Sequence, residues 1–214
     1  MKSRLALLAE GLLVAGLLGL YYARLIAFPI IALFLLGWLS LRARKLRWRD
    51  VGLSAPSAIV PTLFISMTAA VAYQAADIYI FVPVTERFTG ADLDLAAFNS
   101  LRGNLLGLVQ ALLVSWSLAA FMEELVFRGY LFNRLSQGPG SGVAATLGAL
   151  VATALVFGGA HAYQGATGIV NNVVFGLLLG CLYLAGKRNL WLPILTHGMV
   201  DTIGFLLIFS GLIP

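Results

Sequence analysis

Seven apolar runs, each near the length of a bilayer-spanning helix, follow one another along the chain with little between them. They are Leu5 to Tyr22, Leu25 to Leu41, Ile59 to Phe81, Asn104 to about Leu125, Val143 to about His161, Gly168 to Ala185 and Leu190 to Ile213. A hydrocarbon core takes roughly 20 mostly apolar residues in a helix. A backbone inside lipid must also satisfy its own polar groups, which an isolated helix does. The fold class read from this pattern is all-α: a polytopic membrane protein with a bundle of seven to eight transmembrane helices. Composition leads to the same place. Charged residues make up 11% of the chain, against about 25% in soluble domains, too few to cover a globule in water.

The net charge of +5 invites a nucleic-acid reading, but the basic residues sit between apolar runs. Orientation in the lipid bilayer explains them better, and no nucleic-acid partner is expected. Lys2 and Arg4 precede an apolar run as in a signal peptide. No A-x-A-like cleavage site follows and a second run begins almost at once, so the segment reads as an anchor helix. The single cysteine, Cys181, lies in an apolar run and excludes an intrachain disulfide.

Breakers mark the connections. Val82 to Gly103 carries Pro83, Glu86, Arg87, Gly90, Asp92 and Asp94, so it is expected to leave the membrane after the third helix. Gly138-Pro139-Gly140-Ser141-Gly142 separates the fourth and fifth helices. A basic stretch from Arg42 to Arg49, with Trp48 suited to the headgroup layer, follows the second. With seven spans and a cytoplasmic N-terminus, ten basic residues fall inside and three outside, which is the favoured orientation. The short chain without targeting extensions suggests a multi-pass protein of a prokaryotic cell membrane.

Ionisable residues inside the runs are few. Between Asn104 and Ala185 the charged residues are Glu123, Glu124, Arg128 and Arg134, with His161 the one histidine. The last run adds His197 and Asp201. Such groups are costly in hydrocarbon, normally face the bundle interior and mark function. Glu124 and Arg128 are four apart and share a face. Glu123, turned about 100° away, is left free of that arginine. His197 and Asp201 are also four apart, so Asp201 is expected to hold the imidazole in one tautomer.

Phe121-Met-Glu-Glu-Leu-Val-Phe-Arg-Gly-Tyr130 resembles the E-E-x-x-x-R signature of the CAAX prenyl protease and bacteriocin-processing family, also called Abi. Phe157-Gly-Gly-Ala-His161 is similar to its F-x-x-x-H motif, and His197-Gly-Met-Val-Asp201 to its H-x-x-x-N/D motif. The three occur in family order on three apolar helices. Arg49-Asp50-Val51-Gly52-Leu53 resembles a common lead-in to the third helix. The resemblance implies an intramembrane endopeptidase, a hydrolase whose partner is a peptide or protein substrate in or at the membrane. On it, Glu123 and His161 would activate the attacking water. His197 and Asp201 would stabilise the oxyanion or bind a metal, and Glu124 and Arg128 would shape the site. One domain is the default at this size, so residues 1–214 are expected to form one membrane domain, with N-terminal helices and a polar loop in 1–103 and, on the resemblance, a catalytic helical core in 104–214.

Two mechanisms are compatible with these residue types. A carboxylate in an apolar cavity is a strong base. A glutamate and two histidines could instead hold a divalent metal such as zinc with a position open for water, as in a metalloprotease; Glu123, His161 and His197 are that set. Family substrates are prenylated C-terminal tails or bacteriocin-like peptides, and a peptide on the cytoplasmic side is the expectation here. A proton or cation path lined by the same residues, or a non-catalytic scaffold, are the competing readings. One geometric tension is visible. Counting from the turn near Gly140, Glu123 and His161 differ in depth by on the order of 10 Å at 1.5 Å per residue, so tilt or close helix approach at Gly158 and Gly159 is needed to join them.

Overall fold

The computed structural model describes residues 2–23, 25–26, 29–137 and 142–213. Gly138 to Ser141, most of the expected breaker cluster, lie outside the described residues. Among the described residues there is no strand, and seven helical stretches coincide with the seven apolar runs. They are α1 (Lys2–Tyr22), α2 (Pro29–Ala43), α3 (Ile59–Thr89), α4 (Leu105–Ser136), α5 (Val143–Ala160), α6 (Gly165–Ala185) and α7 (Trp191–Phe209). The last five of these segments are long and apolar enough to cross a membrane, while the apolar parts of α1 and α2 are shorter. Leu12, Leu106, Leu113, Val143 and Leu155 are largely exposed on the outside of the bundle. That surface is costly in water and costs nothing in lipid, so the chain is a helical membrane protein.

Two helix ends differ from the sequence expectation. The third helix does not stop at Phe81 but runs on to Thr89, ending on Gly90 at φ +67°. Pro83 is accommodated because it follows a π-helical turn at Asp77–Phe81, where the i→i+5 pattern already breaks the ordinary hydrogen-bond ladder. The fourth helix likewise continues past Leu125 to Ser136. Its polar second half does not meet lipid: Arg128, Asn133, Arg134 and Ser136 are buried by neighbouring helices.

Small residues let the helices that carry the site approach closely. A Cβ added at Gly158 of α5 would lie 2.5 Å from the Ile169 carbonyl oxygen of α6, and one at Gly176 would lie 3.1 Å from Cα of Ala154. Gly159 has no such neighbour; the Tyr22 hydroxyl of α1 donates to its carbonyl instead. On the other side, a Cβ at Gly198 of α7 would lie 2.6 Å from the indole of Trp116. A core of Tyr73, Phe127, Phe157, Phe175, Leu179 and Val200 fills the space between α3 to α7.

The connections fall at two ends. The Arg49 to Leu53 segment forms a tight turn with Arg47 N–H donating to Asp50 Oδ2 at 2.8 Å, and it docks on the α6–α7 connection, where Leu190 N–H donates to Gly52 O at 3.0 Å. Trp48 stacks on Phe34 at 5.2 Å. At the opposite end the 90–104 connection covers the α5–α6 connection and the end of α7, through Asp94 N–H to Gln164 O and Gly103 N–H to Phe209 O, both 3.1 Å.

Candidate active site

The site is built around an unusual stretch of α4. Ser115–Glu123 and Leu125–Phe132 are π-helical, with Glu124 at their junction. The wider turn changes which residues share a face. Val114, Leu118, Glu123 and Phe127 all line one cavity, at steps of four, five and four. In an α-helix at about 100° per residue, Val114 and Glu123 would point in opposite directions. The π turns bring Glu123 round to the cavity, and such turns are frequent at functional sites.

Glu123 and His161 line the same cavity of ≈ 290 Å³, which is completed by Leu18 and Tyr21 of α1 and by Ile30 of α2. The depth difference anticipated from the sequence does not keep them apart, since both line that cavity. Helical Cα–Cβ bonds lean toward the helix N-terminus, so in antiparallel α4 and α5 the two side chains lean toward each other. The His161 ring folds back a full turn, its Nδ1 lying 2.8 Å from the Phe157 carbonyl. A carbonyl oxygen can only accept, so Nδ1 carries the proton and Nε2 of the neutral ring is left as a lone pair.

The two glutamates have unlike surroundings. Glu124 is fully buried and its Oε1 accepts from Arg128 Nη1 at 2.7 Å and from His197 Nδ1 at 3.0 Å. Arg128 also donates to the Gly176 carbonyl at 2.8 Å, and its guanidinium lies over the Phe157 ring at 4.9 Å. Glu123 makes no side-chain hydrogen bond within the described residues, and its Oε2 is buried without a partner. The pair Glu124–Arg128 expected from i, i+4 spacing is therefore present, and the neighbouring carboxyl is left to the cavity.

One expected contact is corrected. Asp201 does not hold His197 by a hydrogen bond: its Oδ2 is 3.7 Å from His197 Nε2 and accepts from the Ser115 hydroxyl at 2.5 Å. Glu124 is what fixes the His197 ring, through Nδ1, because the imidazole and the carboxylate meet across the tight α4–α7 contact at Gly198. His197 Nε2 is thereby the nitrogen left toward Asp201. Phe157, the first residue of the F-x-x-x-H motif, is wholly buried between the parts, 4.7 Å from the His161 ring and 6.0 Å from that of His197.

The candidate metal set does not fit as it stands. Among the described residues no group of three or more His, Cys, Asp or Glu side chains is arranged to hold a metal ion. Glu123, His161 and His197 are not a ligand cage, with His197 Nδ1 already engaged by Glu124.

Several residues of the site escaped the sequence reading. Ser115, the partner of Asp201, looks like an ordinary small residue of an apolar helix. Tyr21 of α1 and Tyr163 of the α5–α6 connection also line the cavity. Glu10 of α1 accepts from Arg134 Nε at 2.9 Å and from the Tyr130 hydroxyl at 2.8 Å, pinning α1 to α4. A lone carboxyl in the first apolar run was the available signal.

Compared with known proteins, residues 105–203 match the model of a family described as Rce1-like, type II CAAX prenyl endopeptidase. No curated protein and no solved structure matches the chain. The matched segment runs from the start of α4 into α7 and contains all seven defined residues of the three motifs. The similarity to the Rce1-like family, type II CAAX prenyl endopeptidase, thus covers residues 105–203, the part of the chain that holds the site.

Proposed function

We propose that this protein is an intramembrane endopeptidase of the glutamate type, a multi-pass protein of the plasma membrane with a cytoplasmic N-terminus. The observation that carries the reading is the contrast between the glutamates. Glu124 is held by Arg128 and His197, whereas Glu123, half-buried, makes no side-chain hydrogen bond among the described residues and faces the same cavity as His161.

Hydrolysis then runs as follows. Glu123 takes a proton from a water held between it and His161 Nε2, and the water oxygen attacks the scissile carbonyl. The developing oxyanion is met by His197, whose Nε2 donates when the ring carries both protons. Glu124 keeps that ring in place, and its Oε1, taken up by Arg128 and His197, is out of the base's role. Glu123 next returns its proton to the departing amine, so the peptide bond is replaced by a carboxyl and an amine with no net proton change. Asp201, held by Ser115, sits beside the oxyanion-stabilising face.

The test is cleavage of a quenched fluorescent membrane peptide by purified protein. Glu123→Gln keeps the size of the side chain and removes the base, so it is expected to lower kcat by about 100- to 10,000-fold while the protein stays folded. Activity is expected to survive a zinc chelator. Full turnover by a folded Glu123→Gln protein removes Glu123 from the mechanism. Loss on chelation with recovery on added zinc replaces the glutamate mechanism by a metal one.

A further inference from the structure

The two ends of the bundle differ in both chemistry and charge, and the cavity belongs to one of them. Its lining comes from the end of α1, the start of α2, the first half of α4 and the α5–α6 connection: Tyr21, Pro29, Val114, Leu118, His161 and Tyr163. The 90–104 connection and the end of α7 lie at this same end, tied to the α5–α6 connection by the Asp94–Gln164 bond and to each other by the Gly103–Phe209 bond. Its basic residues among the described ones are Arg87 and Arg102, accompanied by Glu86, Asp92 and Asp94.

The other end carries Lys2 and Arg4, the five basic residues between 42 and 49, and Lys187 with Arg188. The last two of these segments meet in space: Asn189 Nδ2 donates to Ser54 O and Leu190 N–H to Gly52 O, each at 3.0 Å. Arg134 is set aside because Glu10 neutralises it. Among the described residues nine basic ones therefore stand at the end away from the cavity and two at the cavity end. Lys and Arg in short connections are retained on the cytoplasmic side, where anionic headgroups also attract them.

We propose that the cavity opens toward the extracytoplasmic face, and that its substrate is an apolar peptide segment presented from the extracytoplasmic leaflet. This rests on the peptidase reading for the word substrate, and on charge and geometry for the side. It reverses the cytoplasmic-side expectation of the sequence. A lipidated tail displayed on the cytoplasmic surface would face the basic connections, with the length of α1, α2 and α5 between it and His161. The apolar walls at Leu18, Ile30, Leu33, Leu118 and Phe127 suit aliphatic or aromatic residues beside the scissile bond. Such residues are at home in the leaflet next to the mouth.

The test has two independent arms on the full chain. In a Cys181→Ala background, single cysteines are placed at neutral exposed positions, Ser100→Cys at the cavity end and Ser57→Cys at the other. A membrane-impermeant maleimide is expected to label Ser100→Cys in intact cells and Ser57→Cys only after permeabilisation. The reverse pattern, or labelling of both from outside, overturns the assignment. In the second arm an acyl-anchored fluorogenic peptide of apolar sequence is added to spheroplasts and to inside-out vesicles, with Glu123→Gln as blank. Cleavage at least tenfold faster by spheroplasts is expected, and faster cleavage by inside-out vesicles overturns the proposal. No cleavage on either side or in detergent sinks the peptidase reading and the substrate class with it, while the labelling arm still decides the side.

Discussion

Glu123 and Glu124 are chemically identical and adjacent, yet their contacts divide the work between them. Oε1 of Glu124 receives two N–H donors, one from a permanently charged guanidinium. Removing that charge leaves Arg128 buried and uncompensated, which typically destabilises by about 3–5 kcal/mol. Glu124→Gln is accordingly expected to lower the unfolding midpoint in detergent as well as activity, whereas Glu123→Gln lowers activity alone. Equal melting curves for the two variants would contradict the division. His161 makes a third case. Its Nδ1 bond to Phe157 O costs little to lose at the end of α5, so His161→Ala is expected to fold normally. On the proposed mechanism both act on one water, so activity should fall by the same order as for Glu123→Gln, with little further loss in the double variant.

At the scale of the helix, π turns and glycines place these side chains. The π stretches of α4 let Glu123 share a face with Leu118 and Val114, which ordinary helical winding forbids. The Gly158 contact sets how near α5 lies to α6, and so where the ring of His161, three residues on, is carried. A methyl at Gly158 meets the backbone oxygen of Ile169, which cannot swing away as a side chain can. Overpacking of this kind costs about 1–3 kcal/mol. Gly158→Ala is expected to lower thermal stability and catalysis together. Gly148→Ala, ten residues earlier on the same helix and open within 4 Å, should be neutral or slightly stabilising. Comparable losses in the two would show that helix spacing is not what Gly158 provides.

For the whole molecule, α1 is the least embedded of the helices near the site. Two polar contacts tie it down, Glu10 to Arg134 and Tyr130 of α4, and Tyr22 to the Gly159 carbonyl of α5. Between them Leu18 and Tyr21 form part of the cavity wall. Glu10→Ala removes a charged partner from Arg134, and hydrogen bonds to charged groups are worth about 1.5–3 kcal/mol. The variant is expected to melt earlier and to admit protease into α1 while keeping its catalytic groups, so kcat should change far less than KM. A fall in kcat matching that of Glu123→Gln would mean that α1 positions the reacting groups themselves.

Much of this was legible in the order of residues. Seven apolar runs impose helices, because lipid offers no partner for an unpaired backbone group. The cost of charge in hydrocarbon singles out Glu123, Glu124, Arg128, His161, His197 and Asp201 without any coordinates. Local spacing was sufficient for the Glu124–Arg128 pair, since four residues make one turn. It was not sufficient for His197, whose orienting partner is Glu124, 73 residues away across α4 and α7, rather than Asp201 on its own helix. Nor does it show the π turns of α4 that carry Glu123 to the cavity, or the end of the bundle at which that cavity opens. Those depend on which surfaces meet: a helix yields its hydrogen-bond register, and a side chain its partner, only to neighbours that packing brings from distant parts of the chain.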